Sequence, residues 1–251
     1  MVDKWIVFGG WAIPPQILAP LFGSETPLID TNEIMPDLVR GDVLVKNWQD
    51  VLVDRLLPQI PRRPYGIAGW STGSLLAYAL AQRTRPACGV FISATPSFCR
   101  REEFQWGWKP SVLKSMRREL ASDPDKLLKE LYMQCGIETF SLVSLNAKNL
   151  IAGLFFLEQV NLIPVKPFPF PALFLHGKAD SIIPHAAGKY FCDAAGGTFI
   201  EYDGPHAFFV NQYSGISELI RSYFNKIIIF SSAKQDKSPG AFSYGSPNSP
   251  A

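Results

Sequence analysis

The 251-residue chain has no excess of either charge, with 24 Lys and Arg against 22 Asp and Glu. It carries no basic block, so nothing in its composition invites nucleic acid. Cysteine is scarce and scattered: Cys88, Cys99, Cys135 and Cys192 form no C-x-x-C pair and share no ligand spacing with the three histidines. This argues against a disulfide scaffold and against a metal site, and favours free thiols in a reducing compartment. Long apolar runs are missing too, none approaching the roughly 20 residues of a membrane span. The opening MVDKWIVFGG lacks the charged region and longer apolar core of a signal peptide. The expectation is a soluble, cytoplasmic monomer with no cofactor, no metal, no nucleic-acid partner and no membrane partner.

What is present is an alternation of short apolar runs and helical patterns. KWIVFGG, TPLIDTN, PYGIA and CGVFISATPS read as strands, each bounded by Gly, Pro or Asp. VLVKNWQDVLVDRLL (residues 43–57) and TGSLLAYALAQR have apolar residues at helical spacing. This rhythm predicts an α/β fold, a mostly parallel sheet flanked by helices. Between residues 104 and 164 the strand-like runs stop. KPSVLKSMRRELASDPDKLLKELYMQ reads as two helices, the second starting at Asp123-Pro124, and LNAKNLIAGLFFLEQV as a third. FPFPALFLHGKAD and GGTFIEYDGPHAFF restore the strands, and SGISELIRSYFNKIIIF is a closing helix. The expected organisation is a core of residues 1–103 and 165–230 and a helical lid at 104–164 inserted between strands. A disordered tail is expected at 231–251, where Ser, Pro, Gly and Lys leave little to bury.

Gly69-Trp70-Ser71-Thr72-Gly73 falls between a strand and a helix. That is the setting of a nucleophile elbow, a sharp turn that lifts a serine hydroxyl clear of the sheet. Such a serine needs a base and an acid, in the chain order serine, acid, histidine. His206, after a late strand and before the last helix, fits the base; His176 and His185 lie too early and read as structural. Asp180, in the turn after the preceding strand, fits the acid better than Asp193 or Asp203. Two backbone donors should receive a developing oxyanion: Thr72 N–H, after the serine, and Trp11 N–H, in the loop Gly9-Gly10-Trp11-Ala12.

With these residues the chain resembles the α/β-hydrolases. Among them it is similar to the pimeloyl-[acyl-carrier protein] methyl ester esterases of biotin synthesis. The resemblance runs from about residue 5 to 228 and rests on GWSTG together with SATPSFCRREEFQWGWKPSVLKSMRREL. It implies a serine carboxylesterase that uses Ser71, His206 and Asp180 on the methyl ester of a pimeloyl chain carried by acyl-carrier protein. It also implies an apolar lid. Trp11, Trp70, Phe155 and Phe156 are the expected substrate contacts, with Leu154 and Leu157 beside them. Arg117, Arg118, Lys126 and Lys129 are the candidate contacts for the acidic carrier protein. Two departures stand out: Gly9-Gly10 replaces the His-Gly of most relatives, and Asp30 is followed by TNEIMPDLV rather than a glycine-rich stretch. The alternatives are a general short-chain carboxylesterase, a carrier-protein thioesterase or a menaquinone-pathway lyase with the same three residues, or a non-catalytic binding protein on the same scaffold.

Overall fold

The computed structural model describes residues 2–138 and 145–235, with 227–235 as backbone alone. β1 (Trp5–Phe8) leads through a 3-10 turn (Pro15–Leu18) into α1 (Ala19–Phe22) and β2 (Leu28–Ile29). Next come α2 (Met35–Leu38), a ribbon of β3 (Val39–Arg40) and β4 (Val43–Leu44), and α3 (Trp48–Leu56). β5 (Gly66–Trp70), α4 (Thr72–Thr84) and β6 (Cys88–Ile92) follow. Helices α5 (Pro110–Ser122), α6 (Pro124–Cys135) and α7 (Ala147–Gln159) stand between β6 and β7 (Ala172–Gly177). α8 (His185–Ala195), β8 (Thr198–Tyr202) and α9 (Tyr213–Gln235) complete the described elements.

Six strands form one sheet in the order β2-β1-β5-β6-β7-β8, every pair parallel. The strands are apolar throughout because both faces are covered. Alternate residues enter different cores: Ile6, Phe8, Ile67 and Phe91 on one face, Val7, Ala68, Val90 and Ile92 on the other. The chain steps outward from β1 to β2, then returns across β1 to β5. The sheet therefore reverses its winding between β1 and β5. At such a switch point the loops at the carboxyl ends diverge and leave a crevice. The loops opening there are Gly9-Gly10-Trp11-Ala12 and the Ser71 turn.

Close approach at this point depends on glycine. A Cβ on Gly69 would lie 2.4 Å from Gly73 O, and one on Gly73 would lie 2.4 Å from Gly9 O and 2.5 Å from Phe8 O. The first turn of α4 is thus seated against the end of β1.

The expected helix over residues 43–57 is shorter than its periodicity suggests. Val43 and Leu44 instead pair antiparallel with Arg40 and Val39 around Gly41, whose φ is +64°. Gln159 of α7 accepts from Leu44 N–H at 3.0 Å and donates to Asp42 O at 2.7 Å. That distant partner stabilises the ribbon. At the other end, α9 runs past residue 230 to Gln235, further than the closing helix read from the sequence. The rest of the expected tail, 236–251, lies outside the described residues. No helix among the described residues is long and apolar enough to cross a membrane.

Gly73→Ala should cost at least about 3 kcal/mol, because the obstructing atoms are backbone, and lower Tm by on the order of 6 °C or more. Gly215→Ala in α9, where a Cβ meets nothing within 4 Å, should be neutral or stabilise by up to about 1 kcal/mol. Thermal unfolding of the two variants checks the contrast; equal midpoints would contradict the close-approach argument.

Candidate active site

Ser71 occupies the turn between β5 and α4 with φ 54° and ψ −121°. A left-handed φ at a residue with a Cβ is strained and persists only where its surroundings impose it. Here Ser71 N–H donates to Ile92 O at 2.9 Å, and the Ser74 hydroxyl donates to Gly69 O at 2.7 Å. Thr72 opens α4, so its N–H belongs to the helix end that lacks intrahelical acceptors and carries positive dipole.

Asp180 follows β7 and His206 follows β8. His206 Nδ1 lies 2.7 Å from Asp180 Oδ2. An ionised carboxylate only accepts, so neutral His206 carries its proton on Nδ1 and leaves Nε2 free to take one. The other carboxylate oxygen, Oδ1, accepts from Ile182 N–H and Ile183 N–H, both at 2.9 Å. His176, read from the sequence as structural, is the fourth partner: its Nε2 lies 3.3 Å from Asp180 Oδ2 and 2.9 Å from Ile183 O. The Ile183 carbonyl can only accept, so His176 is protonated at Nε2, and that N–H also faces the carboxylate. Burial alone would push the Asp180 carboxyl up. The charge and hydrogen bond of His206 and those of His176 outweigh it and hold the carboxyl well below the usual carboxylate range. His206 is fixed through its backbone as well, its carbonyl accepting from Ser93 Oγ at 2.9 Å and from Trp70 Nε1 at 3.2 Å.

Ser71, Thr72, His206, Gly10 and Trp11 line one cavity of about 260 Å³, roofed by α5 and α6. Ser71 and His206 line the same cavity without a hydrogen bond between them. The roof combines apolar side chains (Val112, Leu113, Leu127, Leu131) with the polar Glu119, Glu130 and Gln134. Trp108, from the segment entering α5, also lines it and donates its indole N–H to Ile182 O at 2.6 Å. Helix α5 is thereby tied to the loop that carries Asp180.

The expected substrate contacts divide. Trp11 and Trp70 line the cavity, but Trp70 is fully buried with its indole tied to His206 O, so it positions the histidine loop. Leu157 lines the cavity; Leu154, Phe155 and Phe156 do not. Phe156 is fully buried edge-on against Trp48, at 5.3 Å between centroids, and Phe155 lies under the Arg117 guanidinium at 4.1 Å. Helix α7 is apolar around most of its surface and uses these two faces for packing. The expected basic surface divides in the same way. Arg117 is paired with Glu158 inside the helical insertion, and Lys126 with Glu119 and Glu130. Arg118 and Lys129 are exposed.

A carboxyl whose folded pKa lies below its unfolded value adds stability above the unfolded pKa and loses it as pH falls through the folded one. The gap in urea midpoint between wild type and Asp180→Asn should thus be widest above about pH 5, narrow steadily as pH falls below it, and close only well below the usual carboxylate range. A gap independent of pH would show that the carboxylate charge contributes nothing.

Residues 45–147, less than half of the chain, match the thioesterase domain family. Over 158 residues the chain is 28% identical to a pimeloyl-[acyl-carrier protein] methyl ester esterase of Nitrosomonas europaea, the match covering 56% of this chain and 61% of that protein. Over 74 residues it is 38% identical to the protein of the same description from Nitrosospira multiformis, covering 29% and 28%. The chain thus matches less than two thirds of the length of either relative. An esterase from Exiguobacterium antarcticum superposes with a TM-score of 0.72 over 88% of this chain and 92% of the other. At 14% identity, that likeness speaks for the fold alone. The chain has the α/β-hydrolase fold and resembles the pimeloyl-[acyl-carrier protein] methyl ester esterases over the part of their length that it matches.

Proposed function

We propose that the protein is a serine hydrolase of carboxylic esters, and that its substrate is the methyl ester of a pimeloyl chain on acyl-carrier protein. The observation that carries the first half is the Asp180–His206 hydrogen bond of 2.7 Å in the same cavity as Ser71 on its strained turn. The second half rests on the resemblance to the two esterases and on an apolar roof suited to an acyl chain.

In this reading His206 Nε2 takes the Ser71 proton as Oγ bonds to the ester carbonyl carbon. The carbonyl oxygen gains the negative charge, which the Thr72 and Trp11 amides receive. Asp180 steadies the imidazolium. The C–O bond to the methoxy group breaks, His206 returns the proton, and methanol leaves. Water, deprotonated by His206, then attacks the acyl carbon; the bond to Ser71 Oγ breaks, His206 returns the proton to that oxygen, and the free carboxylic acid leaves. The carrier protein is acidic, and of the four candidate cations the exposed Arg118 and Lys129 are left to meet it once Arg117 and Lys126 are paired within the insertion.

A second reading is favoured by the match to the thioesterase domain family. The same three residues would attack the thioester that joins an acyl chain to its carrier, with a thiol as leaving group.

The test is hydrolysis of methyl pimeloyl-carrier protein, followed by methanol and free thiol release, with p-nitrophenyl acetate as generic ester. Methanol release that falls by on the order of 10⁴ or more in Ser71→Ala is the expected result. Thiol release instead selects the thioesterase reading. Cleavage of the generic ester alone keeps the serine hydrolase and discards the carrier substrate.

A further inference from the structure

Ala12 follows the donor expected at Trp11, and its φ is +60°. A residue with a Cβ disfavours this region, and Ala12 is fully buried. Something must hold it there. Both polar groups of Ala12 are engaged by side chains from distant parts of the chain. Its N–H donates to Asn32 Oδ1 at 2.9 Å, and its carbonyl accepts from the Tyr132 hydroxyl at 3.1 Å. Asn32 lies just after β2, and Tyr132 lies on α6 of the insertion. Asn32 is itself fixed: Asp30 Oδ1 accepts from its backbone N–H at 2.9 Å and from its Nδ2 at 2.8 Å. These partners also settle the amide orientation, since Oδ1 must face the N–H and Nδ2 the carboxylate. The same segment holds the preceding peptide, Thr31 Oγ1 donating to Gly10 O at 3.0 Å.

We propose that Asn32 and Tyr132 are positioning residues of the oxyanion hole. Resting on the hydrolase reading above, they clamp Ala12 from both sides in its left-handed conformation. Asn32 occupies Ala12 N–H, which keeps that amide from competing with Trp11 N–H for the oxyanion. Tyr132 makes the geometry depend on the insertion. The Trp11 indole adds a second link of this kind, donating to Leu150 O of α7 at 3.0 Å. The segment 30–32 thus has a role in the departure seen in the sequence, where TNE stands in place of a glycine-rich stretch.

The experiment compares wild type, Asn32→Leu and Tyr132→Phe on p-nitrophenyl acetate. It also measures inhibition by an alkyl trifluoromethyl ketone, which forms a hemiketal with Ser71 and places an oxyanion in the hole. Loss of a direct donor costs on the order of 10² to 10³ in rate, so loss of its positioning should lower kcat by about 10- to 100-fold in Asn32→Leu and by less in Tyr132→Phe. KM should stay close to wild type, and the ketone Ki should rise in the proportion that kcat/KM falls. A purely structural role would lower Tm and leave kcat and Ki unchanged well below it, which would overturn the proposal. If Asn32→Leu does not fold, Tyr132→Phe, which lacks a single hydroxyl, decides alone. A wild type that neither cleaves the ester nor binds the ketone overturns the hydrolase reading and this inference together; an active wild type with unaffected variants overturns only the inference.

Discussion

The seating of the first turn of α4 against the ends of β1 and β5 is the constraint on which the rest of the structure depends. A parallel sheet can present a crevice only where its winding reverses, and here the reversal falls between these two strands. Gly69 and Gly73 let a helix N-terminus sit where any side chain would meet backbone. Ser71 is forced into a left-handed φ, and Thr72 N–H is left without an intrahelical acceptor beside the loop after β1. The strained serine and the positive end of the helix dipole therefore arise from one local packing decision.

Around that point the polar groups are matched with little left over. Each oxygen of the Asp180 carboxylate faces two donors, and the His206 and Ala12 carbonyls are both engaged. A buried carboxylate is costly unless charge and hydrogen bonds offset its desolvation. The two histidines that do so here both face Oδ2, while Oδ1 takes the two backbone donors. An imidazole framed in this way keeps its tautomer and orientation without solvent to help.

Much of this was legible in the sequence where position along the chain decides it. Ser71, Asp180 and His206 each follow a strand, and parallel strands deliver their ends to one edge, so order alone brings them together. Asp123 was legible as a helix start because its partner, Lys126 N–H, is local. What depends on distant partners was not legible. The faces of α7 could not be assigned because LFFL is apolar all round; the choice was made by Trp48 and Arg117. The ribbon at Val43–Leu44 answers to Gln159, and the loop at Ala12 to Asn32 and Tyr132. The contact of His176 with Asp180 was not legible because nothing in LFLHGKAD reveals that side chains four apart meet across the turn.

The helical insertion is bonded to three loops around the cavity: Trp108 to the loop of Asp180, Tyr132 to the loop of Trp11, and Cys135 O to Ala207 N–H beside His206. Its two roots are joined as well, Arg101 donating to Glu158 O and Val160 O at 2.8 and 3.0 Å. Such an insertion is not an interchangeable module. Grafting another protein's helices at this site would remove the struts of the crevice loops along with the roof. New substrate ranges on this scaffold would more readily arise by single replacements among the roof side chains, which touch the cavity and leave the struts in place.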